Sequence, residues 1–251
     1  MKQLRRLFVV TDIHGHYTLL RKALKEAGFD PNNEAHLLIC CGDLFDRGPE
    51  NRKVYDYIRR LPRKVLIRGN HDERLAYVLE QKRVDLYDLR NGGEMTLREF
   101  LGQGCIDNTG RLVLPKYGKM AGILRRFVAS MVDYYETEHY VFTHGWLPLE
   151  QDSNVSRVRE DWRQAPQEAW HIARFSEWPI LYNAPSQIPD KTIVCGHRTT
   201  TYGWRFDPAR KPEDSSIFFG DGVIALDALT VRSGRVNVLV LEEAVEWEDP
   251  Q

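Results

Sequence analysis

Carboxylate, imidazole and amide side chains recur in three short blocks of this 251-residue chain: Asp12-Ile13-His14, Gly42-Asp43-Leu44-Phe45-Asp46-Arg47-Gly48, and Gly69-Asn70-His71-Asp72. Two later turns each carry a histidine, Thr143-His144-Gly145 and Cys195-Gly196-His197. Oxygen and imidazole donors without a thiolate set suit hard or borderline divalent cations, with manganese, iron and zinc as the candidates. Asp12 and His14 can face one site as the chain leaves its strand, and Asp43 offers oxygens that could bridge two ions. Asn70 supplies a neutral oxygen, which limits negative charge where an anionic substrate must approach. His144 and His197 can complete the second position. Two ions roughly 3.5–4 Å apart would lower the pKa of a bridging water and bind a phosphate across the pair. A bridging hydroxide can then attack phosphorus in line with the leaving oxygen. His71, beside Asn70, is placed to give that oxygen its proton, and Asp46 could hold His71 protonated and oriented. Arg47 could hydrogen-bond phosphate oxygens and offset charge developing in the transition state.

Each of the first three blocks follows an apolar, strand-like run: Leu7 to Val10, Leu37 to Cys41, and Val65 to Ile67. The blocks therefore fall at the carboxyl ends of strands, the usual place of chemistry in an α/β sheet. Leu4–Val10 predicts a strand, and His16–Ala27 carries Leu19, Leu20, Ala23, Leu24 and Ala27 at helical spacing up to Gly28. His36–Cys41 predicts a second strand, a helix follows near Asn51–Arg60, and Lys64–Ile67 predicts a third strand. Asn70–Leu89 reads as one long helix with Leu75, Val78, Leu79 and Leu86 on one face. Strands alternating with helices predict parallel pairing.

The Asn91-Gly92-Gly93 turn ends that pattern. Residues from about 91 to 133 read as a helical cap or side layer of a single domain spanning 1–251, with breaks at Gly102–Gly104, Asn108–Gly110 and Pro115. Tyr134–Thr137 and His139–Thr143 predict a tight antiparallel pair with Tyr140 and Phe142 on one face. Residues 148–190 are loop-rich. Thr192–Cys195, Ile217–Phe219, Val223–Leu226 and Val236–Leu241 read as an antiparallel finish. The expected fold is α/β, with two packed mixed β-sheets flanked by helices.

The length suits one large domain with a substantial core. A formal net charge of −1 leaves no global field to favour nucleic acid or an acidic membrane. Arg5-Arg6, Arg59-Arg60 and Arg125-Arg126 are too scattered for a nucleic-acid groove. The basic start, Lys2 to Arg6, precedes too short an apolar run for a signal-peptide core, and no stretch approaches membrane-spanning length. Cys40, Cys41, Cys105 and Cys195 form no Cys-x-x-Cys pair and read as small buried residues in a reducing cytoplasm. Trp162, Trp170 and Trp178 recur every eight residues and read as core. His16, His36, His139 and His171 are not expected to bind metal, and Asp221 and Asp227 read as turn residues. The acidic end, Glu242–Asp249, reads as a solvated terminus.

DIHGH, GDLFDRG, RGNHD, THGW and CGHR resemble the signature blocks of the calcineurin-like metallophosphoesterases, above all the phosphoprotein phosphatase branch. Its bacterial members include the bis(nucleosyl)tetraphosphate hydrolases. The resemblance runs from about residue 7 to 200. It implies a two-sheet core flanked by helices with a dimetal site at the strand ends. It implies metal ligation by Asp12, His14, Asp43, Asn70, His144 and His197, an acid pair of His71 and Asp46, and phosphate contacts from Arg47 and Asn70. The fourth block is His-Gly-Trp where eukaryotic members tend to have His-Gly-Gly, and the fifth is Gly-His-Arg instead of Gly-His-Thr. Trp146 and Arg198 are therefore expected to shape the substrate mouth. A second phosphate-binding arginine usually lies between these two blocks. Arg174 is the candidate, with Arg157, Arg159 and Arg163 as competitors.

The activity implied is hydrolysis of phosphomonoesters, including phosphoserine, phosphothreonine or phosphotyrosine in proteins. One alternative is a bis(nucleosyl)tetraphosphate hydrolase using residues 91–190 to bind a base. Another is a catalytically silent metal- and phosphate-binding regulatory module. Intact His71, Asp46 and Arg47 argue against the last, because a pure binder needs no leaving-group acid.

Overall fold

A computed structural model describes residues 2–113, 118–152, 155–183 and 188–246. Strand β1 (Lys2–Val10) leads to helix α1 (Tyr17–Glu26), β2 (His36–Cys41) to α2 (Asn51–Ile58), and β3 (Lys64–Ile67) to α3 (Asn70–Gln81). Helices α4 (Leu86–Asn91), α5 (Gly93–Leu101) and α6 (Gly118–Ala129) follow. The second half runs through β4 (Tyr135–Glu136), β5 (Tyr140–Phe142), β6 (Leu149–Asp152), β7 (Val155–Val158), α7 (Gln167–Arg174) and α8 (Trp178–Leu181). It ends with β8 (Thr192–Cys195), β9 (Phe218–Gly220), β10 (Val223–Ala225), α9 (Thr230–Ser233) and β11 (Leu239–Glu246).

Two mixed sheets form the centre, in the strand orders β11-β1-β2-β3 and β4-β5-β8-β10-β9. The apolar runs alternate between two buried faces, which is why they read as near-continuous hydrophobic stretches. Leu7, Val9, Leu37, Ile39 and Cys41 point towards the second sheet and meet Phe142, Val194, Ile224 and Leu226. Phe8, Val10, Leu38 and Cys40 point the other way, into a core closed by Leu20 and Leu24 of α1, Val54 of α2 and Leu75 of α3. The outer face of the second sheet packs Val141, Ile193 and Val223 against Trp162, Trp170 and Trp178, which are core residues as their spacing predicts. The layers are therefore helix, sheet, sheet, helix. Leu97, Phe100, Leu124 and Val128 of α5 and α6 join the same apolar cluster as β1 and β2.

Several elements differ from the sequence reading. The predicted long helix after Asn70 is broken: Lys82 adopts φ 55° and α4 starts afresh at Leu86. Between them the backbone pairs with a distant segment, Val84 N–H donating to Gly110 O and Leu112 N–H to Lys82 O, both at 2.9 Å. Asp85 then caps α4 by accepting from the Tyr87 and Asp88 amides. Leu86 consequently faces solvent, 67% exposed, rather than sharing the buried face of Leu75. The finish is not simply antiparallel. In the second sheet β5, β8 and β10 run parallel while the edge strands β4 and β9 reverse, and β11 pairs antiparallel with β1 in the first.

The acidic end is not wholly a solvated tail either. Glu242 to Glu246 continue β11, pairing Glu242 with Arg6 and Glu243 with Arg5, so the basic and acidic ends meet across one ladder. Pro115 and the residues from 247 onward lie outside the described residues. Among the described residues no helix is long and apolar enough to cross a membrane.

Candidate metal centre

All five blocks converge at one end of the two sheets. Asp12 and His14 follow β1, Asp43, Asp46 and Arg47 follow β2, and Asn70 and His71 open α3 after β3. His144 follows β5 and His197 follows β8, so the second sheet contributes its own parallel strand ends. Six of the nine non-glycine residues with positive φ among the described residues lie here: Asp12, His14, Asp43, Asp46, Arg47 and His197. Such backbone conformations cost of order 1–3 kcal/mol each and persist only where the surroundings over-determine them. Gly42 shows how tightly the loops cross: at φ +84°, a Cβ there would lie 2.6 Å from Gly69 Cα.

Two triads suited to a binuclear metal site share Asp43: His14, Asp43 and His71 on one side, and Asp43, His144 and His197 on the other. His14 Nε2 lies 3.7 Å from Asp43 Oδ2 and 3.8 Å from Asp12 Oδ1. His144 Nε2 lies 3.4 Å from Asp43 Oδ1. The imidazoles are held in the form a cation requires. His14 Nδ1–H donates to Phe45 O at 2.9 Å and His144 Nδ1–H donates to Cys41 O at 2.8 Å, which leaves each Nε2 lone pair facing inward. That His144 lone pair meets Asn70 Oδ1 at 2.9 Å, and His197 Nδ1 lies 3.0 Å from the same oxygen. The His144 lone pair, the Asn70 oxygen and the Asp43 carboxylate, all buried, converge in a way that fits a divalent cation with carboxylate, imidazole and amide donors.

Electrostatics point the same way. Burial, reinforced by Arg47 and His71 against the opposing charge of Asp43, lowers His14 to about 3. Burial and the neighbouring His144 lower His197 to about 3, so both imidazoles are neutral near pH 7. Burial works to raise Asp43, but the surrounding His144, His71 and His14 outweigh it and hold the carboxyl below its ordinary range. Burial raises Asp12, whose Oδ2 accepts from Thr11 Oγ1 at 2.7 Å and from the His197 amide at 2.9 Å.

His71 sits differently. Its Nδ1 lies 2.7 Å from Asp46 Oδ2, and its Nε2 faces the shared triad. Burial alone would lower its basicity, but the Asp43 charge and the Asp46 hydrogen bond raise it above the ordinary histidine value. Arg47 spans the opening between the two histidines, its Nη1 2.8 Å from His14 Nε2 and its Nη2 2.9 Å from His71 Nε2.

The remaining residues singled out in the sequence take other places. Arg174, the candidate second phosphate contact, is buried, with Nη1 donating to Glu73 and Nη2 to Asp133. Arg159 pairs with Asp161, and Arg163 with Glu136. Trp146 does not line a mouth as expected: it is fully buried in the second-sheet core, its amide donating to Ala173 O. Arg198 remains partly exposed and pairs with Glu177. His36 accepts from the Asp30 amide and His171 pairs with Glu73, each outside the cluster.

Other residues support the centre without having been assigned to it from sequence. Asp72, fully buried, accepts from the amides of Asp43, Leu44 and Gly69, tying the second block to the third. Its place in Gly-Asn-His-Asp was visible, but its partners were not. Thr96 reaches Asp46 from α5. Asp227 does form the turn expected of it, accepting from the Leu229 amide, yet it is buried. Burial, with Asp12 adding to it, raises the Asp227 carboxyl well above its usual range.

A profile of the calcineurin-like phosphoesterase family matches residues 5–232. The serine/threonine-protein phosphatase 1 of Salmonella typhimurium is 36% identical over 97 residues, 39% of this chain and 43% of that protein. A symmetrical bis(5'-nucleosyl)-tetraphosphatase of Photorhabdus laumondii is 41% identical over 72 residues, 28% of this chain and 26% of that protein. The chain thus spans less than half the length of these curated relatives. A protein serine/threonine phosphatase structure from Saccharomyces cerevisiae aligns over 98% of this chain and 82% of that one, with a TM-score of 0.54 at 15% identity, a likeness of fold.

Proposed function

The chain belongs to the calcineurin-like phosphoesterase family, and from that membership we propose that it hydrolyses phosphomonoesters, with phosphoserine, phosphothreonine or phosphotyrosine in proteins as the substrates. The observation that carries this reading is the His71–Asp46 pair set beside two triads that share Asp43. Asp12, His14 and Asp43 would hold one divalent cation, and Asp43, Asn70, His144 and His197 the other, with manganese, iron or zinc as the metals. Bound there, the cations supply Lewis acidity that polarises the phosphoryl group and makes water a nucleophile near neutral pH.

The protein's own contribution is orientation and proton delivery. Arg47 presents two donors from one planar group, a geometry suited to two oxygens of a phosphate. Asp46 keeps its bond to His71 Nδ1, so a second proton on the ring sits on Nε2, the atom facing the site. The raised basicity of His71 favours that doubly protonated form. Passing the Nε2 proton to the departing alkoxide leaves a neutral ring still anchored by Asp46.

A second reading, hydrolysis of dinucleoside tetraphosphates, draws support from the match to the symmetrical tetraphosphatase and from aromatic groups near the centre. Half-exposed Tyr87 lies beside the Asn70 side chain, and the half-exposed Phe175 ring lies 6.2 Å from the His197 ring. Such faces suit a nucleobase or an aryl phosphate. The four cysteines, all buried and free, support a reducing compartment such as the cytoplasm.

Initial rates separate these readings, measured on metal-stripped protein reloaded with manganese. The panel is an aryl phosphate, a phosphoserine peptide, a phosphotyrosine peptide and a dinucleoside tetraphosphate. Preference for the peptides is expected. Preference for the dinucleotide would move the assignment to nucleotide hydrolysis, and metal-dependent turnover of none would overturn both.

A further inference from the structure

Helix α5 reaches the acid pair from behind. Thr96, fully buried, donates its hydroxyl proton to Asp46 Oδ1 at 2.5 Å, while Asp46 Oδ2 lies on His71 Nδ1 at 2.7 Å. The same Thr96 oxygen accepts the Asp46 amide at 3.0 Å, a proton shared with Asn51 Oδ1 at 2.8 Å. Asn51 is fixed in turn by Glu99 of α5, which accepts from its side-chain amide at 2.7 Å. One helix therefore holds the backbone and the carboxylate of Asp46 together.

The turn before that helix presses on the same segment. Gly92 has φ +81°, and a Cβ there would stand 2.4 Å from Arg47 N and 2.8 Å from Arg47 Cα. Asp46 and Arg47 themselves carry φ 73° and 65°, conformations that a non-glycine residue keeps only under external support. The Asn91-Gly92-Gly93 turn thus lays the start of α5 directly on the Asp46–Arg47 backbone, and Thr96, one helical turn on, meets the carboxylate.

We propose that Thr96 is a positioning residue for the proton donor: seated by the Asn91-Gly92-Gly93 turn, its hydroxyl fixes the Asp46 carboxylate in the orientation that holds His71. This rests on the reading of His71 and Asp46 as the leaving-group acid pair. Without the hydroxyl, Asp46 Oδ1 becomes a buried acceptor lacking that partner, and the carboxylate is free to turn away from the imidazole. A charge-assisted bond at this distance is stronger than the ordinary hydroxyl contact of a buried threonine.

The test compares the full chain with its Thr96→Val, Thr96→Ser and His71→Asn variants. In the zinc-loaded protein, which is diamagnetic, nitrogen-correlated NMR follows the His71 Nδ1 proton. That signal is expected at low field in the parent and in Thr96→Ser, and broadened or shifted upfield in Thr96→Val. With manganese, Thr96→Val is expected to lose about ten-fold in kcat on a phosphoserine peptide and about two-fold or less on an activated aryl phosphate. KM should stay unchanged, and Thr96→Ser should restore the rate. Thr96→Ala is read by the same signal if the valine variant does not fold.

An unmoved His71 signal in a folded Thr96→Val protein overturns the proposal. So does an equal loss on both substrates where His71→Asn itself discriminates between them. If Thr96→Val disturbs the signal while His71→Asn slows both substrates alike, the positioning stands and the proton-donor reading falls.

Discussion

Arg174 Nη1 donates to Glu73 Oε1 at 2.7 Å, so the last residue of α7 is fastened to the first turn of the helix that carries Asn70 and His71. Its other terminal nitrogen reaches Asp133, and the guanidinium is almost wholly out of solvent. Removing one partner from such a cluster leaves carboxylates uncompensated, typically at a cost of about 3–5 kcal/mol. Arg174→Met is expected to lower the denaturant midpoint by an amount near the low end of that range, because Glu73 and Asp133 keep some solvent. The KM for an aryl phosphate should barely change. A raised KM at unchanged stability would instead mark Arg174 as a phosphate contact.

Asp43 is the one carboxylate common to both triads. Asp43→Asn is therefore expected to weaken both metal positions together and to leave activity at least about a hundred-fold lower. Metal analysis after gel filtration checks this, and retention of two equivalents per chain would refute the shared role.

His71→Asn should behave otherwise. Metal content is expected to stay at the parent level, while turnover of alkyl phosphates falls by roughly a hundred-fold or more, the usual contribution of a general acid. Activated aryl phosphates, whose leaving groups need no proton, should suffer far less. Equal losses across leaving groups would show that His71 does not deliver the proton.

Away from the centre, Glu136 of β4 lies under Arg163 and Lys191, whose hydrogen bonds and charges lower its carboxyl from 4.5 to about 2 despite partial burial. A depressed carboxylate contributes stability that is fully present above its unfolded value and is lost as pH falls through the folded one. Glu136→Gln is expected to cost about 1 kcal/mol at pH 7, the upper end for a pair that keeps solvent contact. The difference from the parent should vanish as pH falls from 4.5 towards 2. Chemical denaturation of both proteins across that window measures it, and a pH-independent difference would contradict the ion-pair account.

What could be read in advance follows from local chemistry. Strands buried on both faces must be apolar at every position, so Leu7–Val10 and Leu37–Cys41 were visible as strands, and the polar blocks after them as strand ends. Their side chains do gather in one place. The helix break at Lys82 was not visible, because it depends on backbone bonds to Gly110 and Leu112, which only the tertiary fold supplies.

Parallel pairing of β5, β8 and β10 was hidden for a related reason. Strands this short show too little alternation to reveal their partners, and Tyr140 meets Thr192 across some fifty residues of chain. The burial of Trp146 is likewise invisible in its own block, because the second core that encloses it and the Ala173 carbonyl that its amide meets are supplied only by the tertiary fold. Thr96 lies mid-helix, where a threonine ordinarily says little, and its partner Asp46 is 50 positions away.

The division of the centre between two sheets has one more consequence. Asp12, His14, Asp43 and Asn70 belong to the first half of the chain, whereas His144 and His197 belong to the second. A cation seated among them would rivet the sheets together at their mouths, while the apolar layer of Val9, Ile39, Phe142 and Val194 glues them behind. A chain severed between α6 and β4 would leave neither fragment with a full set of ligands. Metal uptake by the mixed fragments would then serve as a gauge of whether the two halves had found each other.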